Sequence, residues 1–267
     1  MVQSEVLRAR HRWTPRDLES AIAARQACPR NQVRQAIRAL VAEGRLEYSY
    51  TFGQSYLVMS FQHPVDIGAR FTIIPPTYRG FIPSHRAPLA IQAGAAFGSG
   101  RHPTTRLGLR GLEKAWAFSR SPACSKAPVV IDIGTGSGIL AIAAARLGAA
   151  AVTAVDPDPC ARSEAAANIA LNPGISSITV TGAAIEDLPG RYDGAMANLR
   201  PPTLIQLLPW MQSHLQPAGW MVLSGIRENE WEGLKARYAA AGYHSHWQGC
   251  DAGWTGGLFA ASPAGTP

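Results

Sequence analysis

A glycine-rich segment that begins with an acidic residue offers the clearest chemistry in this sequence. Residues 129–140 read Val-Val-Ile-Asp-Ile-Gly-Thr-Gly-Ser-Gly-Ile-Leu, so three alternate glycines follow an apolar run that contains Asp132. Gly134, Gly136 and Gly138 would let the backbone turn sharply and approach a ligand closely. A dinucleotide loop places a pyrophosphate at a helix N-terminus, where a nearby carboxylate is unfavourable. S-adenosylmethionine (SAM) carries an amino group and a sulfonium instead of phosphates, so the acidic residue favours SAM as the cofactor.

A second carboxylate, Asp156, follows the next apolar run at 151–155. It lies 22 residues beyond Gly134, the spacing typical of a carboxylate that accepts hydrogen bonds from both ribose hydroxyls. Two acceptor oxygens match two vicinal donors. Asp158 is predicted to cap the following helix. Helix capping is also the alternative for Asp156, but its pairing with the glycine loop favours ribose binding.

Two later turns supply further polar candidates. Residues 182–187 follow a predicted strand and should lie beside the adenine, where Glu186 or Asp187 would accept a hydrogen bond from its amino group. Asn198 follows the next strand, at the sheet edge where ligands bind in open α/β folds. Its side-chain carbonyl would accept a hydrogen bond from a substrate amine and orient the nitrogen lone pair toward the methyl group.

A second glycine-containing segment precedes the first predicted strand of the sheet. Residues 96–106 read Ala-Phe-Gly-Ser-Gly-Arg-His-Pro-Thr-Thr-Arg. The two glycines predict a tight loop, and Pro103 with the threonines after it predicts a helix start. These residue types alone indicate no function for the segment.

Taken together, these segments resemble the bacterial methyltransferases of ribosomal protein L11. The resemblance rests on the run 97–105, on Asp-Ile-Gly-Thr-Gly-Ser-Gly-Ile-Leu-Ala-Ile-Ala-Ala at 132–144, and on the short matches at 197–199 and 223–226. It implies a Rossmann-like fold and methyl transfer from SAM to protein amines. Residues 1–62 differ from that family's usual ferredoxin-like N-terminal unit, and Arg-Pro-Pro at 200–202 replaces small apolar residues.

The resemblance also implies roles for individual residues. SAM contact would come from Thr105, Gly134, Asp156 and Asn198. Phe97 and His102 would lie in the loop that closes over the cofactor. We expect no dedicated base, and His102 either assists proton loss from the acceptor or shapes the loop by hydrogen bonding.

The elements that would position these residues alternate from about residue 96 onward. Strands are predicted at 129–133, 151–155, 177–180, 192–197 and 219–224. Helices are predicted at 138–147, 159–171, 203–215 and 228–240. This alternation is typical of a doubly wound, mostly parallel α/β sheet. The runs 243–248 and 254–260 are predicted to form an antiparallel edge hairpin.

The chain before residue 96 is organised differently. Residues 1–62 read as helices followed by a hairpin, with helix starts at Thr14-Pro15 and Cys28-Pro29 and a helix end at Gly44. That order resembles a winged helix, whose second helix carries basic residues that either contact nucleic acid or are merely solvated. Residues 63–95 are rich in Pro and Gly and are predicted to be a linker with a small hairpin. We expect the methyltransferase domain at 96–267.

Charge divides the chain unevenly. Residues 1–130 carry 18 Arg and Lys against 7 Asp and Glu, a balance of +11, whereas residues 131–267 carry 7 against 11, a balance of −4. The asymmetry favours an anionic partner such as nucleic acid or a ribonucleoprotein, although a generally Arg-rich composition is the alternative.

The cysteines and the apolar runs indicate the cellular compartment of the protein. No two of the four cysteines form a C-x-x-C pair, so no metal site is expected and free thiols in a reducing cytoplasm fit best. No apolar stretch approaches the length of a membrane span, and no secretory signal is recognised.

Several functions stay open at this stage. A protein lysine or N-terminal amine is the favoured acceptor, with a ribosomal protein as the expected substrate. The alternatives are a nucleic-acid methyltransferase that grips its substrate with the winged helix, a small-molecule methyltransferase, and a non-enzymatic SAM sensor. Asn198-x-x-Pro201 only partly matches the motif of base-modifying enzymes, because the proline is not adjacent and no aromatic residue follows to stack a flipped base.

Overall fold

The computed structural model describes residues 1–8, 12–51, 53–92, 94–119, 126–175 and 177–261. The helices are α1 Val2–Arg8, α2 Pro15–Gln26, α3 Arg30–Ala42, α4 Pro103–Ser119, α5 Ile139–Leu147, α6 Pro159–Ala170, α7 Pro201–His214 and α8 Trp231–Ala240. The strands are β1 Leu46–Thr51, β2 Gln54–Met59, β3 Val65–Ile67, β4 Phe71–Ile74, β5 Ala87–Ala90, β6 Val129–Ile133, β7 Ala151–Val155, β8 Ser177–Thr181, β9 Tyr192–Asn198, β10 Leu215–Arg227, β11 Tyr243–Asp251 and β12 Trp254–Ala261.

The N-terminal unit is a helical cluster closed by a hairpin. Thr14 caps α2 because its side chain accepts a hydrogen bond from the Asp17 backbone N–H, and Pro15 occupies the first helical position. The apolar stripe of α3 buries Val33 and Ile37 against the other helices. The predicted helices and hairpin are therefore confirmed, while the sequence reading gave no separate boundary for α1.

One backbone contact ties the segment before α2 to the hairpin. The Leu57 backbone N–H donates to the Trp13 carbonyl oxygen at 2.9 Å, and the two residues form an antiparallel bridge. β1 and β2 pair in antiparallel register from Leu46 opposite Met59 to Thr51 opposite Gln54. The bridge makes Trp13 a one-residue third strand beside the hairpin.

Residues 63–95 differ from the prediction of a linker with a small hairpin. β3 and β4 do form the hairpin, but β5 adds a third strand parallel to β4. Phe71 and Leu89 are fully buried in the same apolar cluster as the residues of α4 and α5. The segment is thus part of the main core, because alternate residues of its strands face apolar helix surfaces.

A seven-stranded sheet forms the centre of the second half, in the order β11-β12-β10-β9-β6-β7-β8. β8, β7, β6, β9 and β10 pair in parallel, and β12 is antiparallel to both of its neighbours. All the strands predicted for this half are present, and the C-terminal hairpin lies at the sheet edge as predicted. Two apolar clusters cover the two faces of the sheet.

The topology brings the candidate residues to one edge. β6, β7 and β9 are parallel, so the turns that follow them open on the same side of the sheet. Ile133 lies opposite Val155 and Ala197, which makes the segments after residues 133, 155 and 197 spatial neighbours. Among the described residues, no helix is both long and apolar enough to cross a membrane.

Candidate active site

The glycine loop after β6 is shaped by backbone conformations that favour glycine. Gly134, Gly136 and Gly138 have φ angles of 73°, 53° and 82°. A Cβ atom on Gly136 would collide with the carbonyl oxygen of Phe97. The second glycine is therefore required because another backbone segment crosses directly over the loop.

That crossing segment is fastened to the loop by hydrogen bonds. The Ser137 backbone N–H donates to the Phe97 carbonyl oxygen and the Ser137 hydroxyl to the Gly98 carbonyl oxygen, both at 2.8 Å. Upstream, Glu164 Oε1 on α6 accepts from the backbone N–H groups of Ala95 and Ala96 at 2.7 and 3.0 Å. These hydrogen bonds hold the segment at residues 95–102, which we call the closing loop, against the glycine loop.

Asp132 is fully buried beneath the glycine loop. Its Oδ2 accepts hydrogen bonds from Thr135 Oγ1 at 2.6 Å and from the Ala141 backbone N–H at 3.1 Å. Its Oδ1 has no partner among the described residues. Burial raises the pKa of Asp132 to about 7, partly opposed by those two hydrogen bonds and assisted by the charge of Asp156.

Asp156 lies where β7 ends and faces the same loop. Its Oδ2 accepts from the Gly136 backbone N–H at 2.9 Å and its Oδ1 from the Asp158 backbone N–H at 3.0 Å. Each carboxylate oxygen has two acceptor positions, so both can still bind ligand hydroxyls. Asp158 caps α6 through the Cys160 backbone N–H, which confirms its predicted role.

Further buried oxygens lack partners at this edge of the sheet, among them Ser224 Oγ on β10. Asn198 is the last residue of β9, next to Ser224 of β10, and its Oδ1 has no hydrogen bond within the described chain. Thr105 in the first turn of α4 is fully buried with its Oγ1 likewise unpaired. A buried polar atom without a partner costs about 1–3 kcal/mol. Together with Asp132 Oδ1, these atoms offer acceptors to the polar groups of a ligand.

His102 forms the start of α4. Its Nδ1 lies 2.8 Å from Thr104 Oγ1 and accepts from the Thr104 backbone N–H at 3.3 Å. The ring lies edge-on between Phe97 and Trp254, with centroid distances of 5.1 and 4.9 Å. The side chain therefore ties together the closing loop and the turn between β11 and β12.

The charge state of His102 follows from its surroundings. Burial lowers the pKa of His102 to about 4, and the positive charges of Arg106, Arg227 and Arg12 add to that effect. The ring is neutral at pH 7. Because its Nδ1 already accepts hydrogen bonds, Nε2 carries the proton in this arrangement.

The remaining predicted residue, Glu186, lies in a short 3-10 turn at Ile185–Asp187 and is exposed beside β8. The turn follows a strand that neighbours β7, so it opens on the same side of the sheet. The assignment of Glu186 to adenine binding stays a prediction.

A buried ion pair lies near the site and was not predicted from the sequence. Arg106 Nε and Nη2 donate to the two carboxylate oxygens of Asp251, each at 2.8 Å. Arg106 Nη1 also donates to the Arg101 carbonyl oxygen at 2.7 Å. The pair connects the β11–β12 turn to the closing loop across 145 residues of sequence, a distance that no local pattern reveals.

The unusual Arg-Pro-Pro sequence has a structural reason. Arg200 Nη1 donates to the Gly225 carbonyl oxygen at 2.8 Å, and Nη2 pairs with Glu230 at 2.6 Å. Its guanidinium lies 5.3 Å from the centre of the Trp254 ring. Pro201 then begins α7, where its fixed φ is favourable. Arg200 thus holds the segment after Asn198 against β10 and Trp254.

A glycine loop with carboxylates at two strand ends, on a seven-stranded sheet with a single reversed strand, defines an α/β domain of the Rossmann-like methyltransferase fold. A family model described as ribosomal protein L11 methyltransferase (PrmA) matches residues 56–257. The chain belongs to this family.

Individual relatives agree with that assignment. The ribosomal protein L11 methyltransferase of Geotalea uraniireducens is 41% identical over 169 residues, covering 61% of this chain and 53% of the relative. That of Dechloromonas aromatica is 39% identical over 183 residues, covering 68% and 58%. A crystal structure of ribosomal protein L11 methylase from Lactobacillus delbrueckii subsp. bulgaricus superposes with a TM-score of 0.65 at 30% identity, covering 75% of this chain and 100% of that one. The chain spans about half the length of the curated relatives it matches.

Proposed function

We propose that this chain transfers a methyl group from SAM to an amine of a protein, namely a lysine or N-terminal amine of a ribosomal protein. The observation that carries the proposal is the set of buried, unpartnered oxygens of Asp132, Asn198 and Thr105 beside the glycine loop. Relatives that are ribosomal protein L11 methyltransferases support a protein acceptor. A ribosomal substrate would also place the chain in the cytoplasm.

The residues present fit SAM at the glycine loop. Asp132 Oδ1 offers an acceptor to the amino group of the cofactor, and Asp156 offers two acceptors to the ribose hydroxyls. Glu186 is our candidate for the adenine amino group. Gly134, Gly136 and Gly138 would shape the loop that contacts the cofactor, and Phe97 from the closing loop and Thr105 from α4 would bound it.

Replacing Asp156 with alanine is expected to weaken SAM binding by at least roughly 100-fold, because two hydrogen bonds to a charged group are lost. Hydrogen bonds to a charged group are each worth about 1.5–3 kcal/mol, and the carboxylate also holds the Gly136 backbone N–H. Isothermal titration calorimetry with SAM measures the loss. The matched control is Asp158→Ala, which removes a helix cap two residues away and should leave the dissociation constant within about threefold. Equal losses in the two variants would contradict ribose binding by Asp156.

The chemistry is an in-line displacement at carbon. When bound, SAM would supply an electrophilic methyl group on a sulfonium. The acceptor nitrogen would form the new N–C bond as the S–C bond breaks, S-adenosylhomocysteine would leave as the thioether, and one proton of the acceptor would pass to solvent. A lysine of pKa about 10.4 must enter without its proton, and the positive charges around His102 would lower that pKa. Asn198 would orient the nitrogen lone pair, and His102, already hydrogen-bonded at Nδ1, would chiefly shape the loop.

The raised pKa of Asp132 predicts a pH-dependent stability for the ligand-free chain. Its folded pKa of about 7 exceeds the ordinary value of 3.8, so the folded state binds more protons between these limits and the free energy of unfolding falls as pH rises. The slope is at most about 1.4 kcal/mol per pH unit. His102, whose pKa is lowered, acts in the opposite direction between about pH 4 and 6.5.

The Asp132 contribution is isolated by comparing wild type with Asp132→Asn in urea titrations from pH 4 to 8. The stability of the wild type relative to the variant should fall as pH rises to about 7 and then level off. Asp187→Asn, on an exposed turn, is the control and should give a flat difference. Addition of SAM should reduce the slope, because an ammonium group near Oδ1 stabilises the carboxylate. A flat Asp132 difference would refute the raised pKa.

The N-terminal unit is proposed to be a winged-helix-like docking domain spanning residues 1–62. The Trp13–Leu57 bridge supports this, since it adds a short strand between α1 and α2 to the β1–β2 hairpin. Exposed Arg30 and Arg38 on α3 offer a surface for nucleic acid or a ribonucleoprotein, with Arg34 partly neutralised by Glu19. Substitution of Arg30 and Arg38 by Gln should weaken association with ribosomal particles in sedimentation assays and leave SAM binding unchanged.

The direct test of the proposed function uses purified protein, methyl-labelled SAM and an extract of the source cells. Label that is destroyed by protease and resists nuclease would support a protein acceptor, and mass spectrometry of the labelled band would identify it. Label destroyed by nuclease would overturn the protein reading. Absence of label from both fractions, with SAM binding intact, would also overturn it.

A further inference from the structure

The β1–β2 hairpin separates two environments. Leu46 and Leu57 on one face pack into the apolar cluster of the N-terminal helices. The opposite face lines a cleft of about 750 Å³, whose other wall belongs to the closing loop and the β11–β12 turn. One wall includes Glu47 and Tyr56 from the hairpin and Arg12 from the segment before α2. The opposite wall includes Phe97, Arg227 and Trp254. The cleft therefore lies beside the candidate active site and needs both halves of the chain.

The charges that line this cleft are predominantly positive. Four arginines contribute to its walls, and Glu47 is the single carboxylate among the described lining residues. Glu47 is paired with Arg101, and Arg106 is paired with Asp251 beneath the surface. The guanidinium groups of Arg12 and Arg227 have no carboxylate within 4 Å in the described part of the chain, although the Arg227 backbone N–H donates to Glu230 at 2.8 Å. Two unneutralised guanidinium groups therefore face the cleft, one from each wall.

Both of these arginines are held by aromatic rings. The Arg227 guanidinium lies 3.8 Å from the centre of the Trp254 ring, and the Arg12 guanidinium lies 5.7 Å from that of Tyr56. A guanidinium attracted to a ring face still carries N–H donors that can bind a carboxylate. Because the donors are ordered beforehand, less conformational entropy is lost when an anion binds.

We propose that this cleft selects an acceptor amine flanked by carboxylates, with Arg12 and Arg227 as the specificity-determining residues. The inference rests on the proposed function and adds the substrate class: an acidic peptide segment that contains the target amine. Acceptors flanked by arginine or lysine are disfavoured because like charges would face each other in a partly desolvated cleft.

The arrangement favours a peptide over a nucleic-acid strand. Single-stranded nucleic acid is bound by a track of free cations together with aromatic faces on which bases stack. Here the guanidinium groups of both Arg200 and Arg227 cover the Trp254 ring, and Arg12 covers Tyr56. The Trp254 and Tyr56 rings are therefore covered by arginines, and of the aromatic residues named in the cleft only Phe97 is left without an arginine of the described chain over it.

The test compares three synthetic peptides that each contain one central lysine flanked by glutamates, serines or arginines. Binding is measured by fluorescence anisotropy in the presence of S-adenosylhomocysteine, and methylation by label transfer from SAM. We expect the acidic peptide to bind at least about tenfold more tightly than the serine peptide, with the arginine peptide weakest. Arg12→Gln and Arg227→Gln should each reduce that preference about five- to tenfold, whereas the exposed controls Arg16→Gln and Arg237→Gln should retain it.

The outcomes separate this inference from the proposed function. Tight binding of the acidic peptide that depends on Arg12 and Arg227 supports the inference, whether or not label is transferred. Failure to transfer label to the bound peptide would count against methyl transfer to peptide amines. Equal binding of the three peptides, or preference for the arginine peptide, overturns the inference while leaving methyl transfer intact. Displacement of the acidic peptide by a single-stranded RNA oligonucleotide, with the same dependence on both arginines, would overturn it in favour of a nucleic-acid acceptor.

Discussion

Replacing Asp251 with alanine is expected to lower the free energy of unfolding by about 3–5 kcal/mol. Asp251 and Arg106 are 5% and 9% exposed, and two hydrogen bonds of 2.8 Å join them. The substitution leaves the Arg106 guanidinium buried without a counter-charge, which costs far more than the pair itself contributes. Because Arg106 also donates to the Arg101 carbonyl oxygen, the closing loop would lose an anchor at the same time.

Urea unfolding monitored by circular dichroism measures this change. The double variant Arg106→Met/Asp251→Leu is expected to recover much of the lost stability, because it removes both charges and retains apolar packing. The matched control is Glu5→Gln, which breaks the exposed pair with Arg25 and should cost less than about 1 kcal/mol. If Asp251→Ala and Glu5→Gln gave equal losses, the buried pair would not be an important anchor.

Features encoded locally were predictable from the sequence. Gly134, Gly136 and Gly138 adopt positive φ angles because the chain must turn between a buried strand and a helix, and spacing alone indicates such a turn. Asp158 caps α6 and Thr14 caps α2 for the same reason, since each cap lies within three residues of its partner. Short-range chemistry of this kind needs no knowledge of the fold.

Features that depend on distant contacts were not predictable. Residues 63–95 have the Pro and Gly content of a linker, yet Phe71 and Leu89 are buried because α4 and α5 supply the covering surface. Arg106 and Asp251 meet only when the reversed strand β12 and its partner β11 close the sheet edge. The cleft of about 750 Å³ likewise exists only where the β1–β2 hairpin meets the closing loop. Neither half of the sequence therefore indicates it alone.

Replacing Asn198 with alanine is expected to reduce turnover about 100- to 1000-fold with SAM affinity within about threefold of wild type. The buried Asn198 Oδ1 lacks a partner in the described chain, and we propose that it orients the acceptor nitrogen. Removal of one aligned hydrogen-bond partner of a reacting centre typically costs this much. The binding and turnover effects should separate because Asp132 and Asp156 would still hold the cofactor.

Single-turnover label transfer to the preferred peptide and calorimetry with SAM together resolve the two quantities. Asn198→Asp retains an acceptor oxygen at the same position and should recover part of the lost rate, which a purely structural role would not produce. Asn229→Ala, on an exposed turn beyond β10, is the matched control and should leave both quantities unchanged. If Asn198→Ala instead weakened SAM binding and turnover to the same degree, Asn198 would belong to the cofactor site alone. Residues in the walls of the cleft would then have to orient the acceptor. Trp254 contacts both His102 and Arg227, so it would be the next residue to replace.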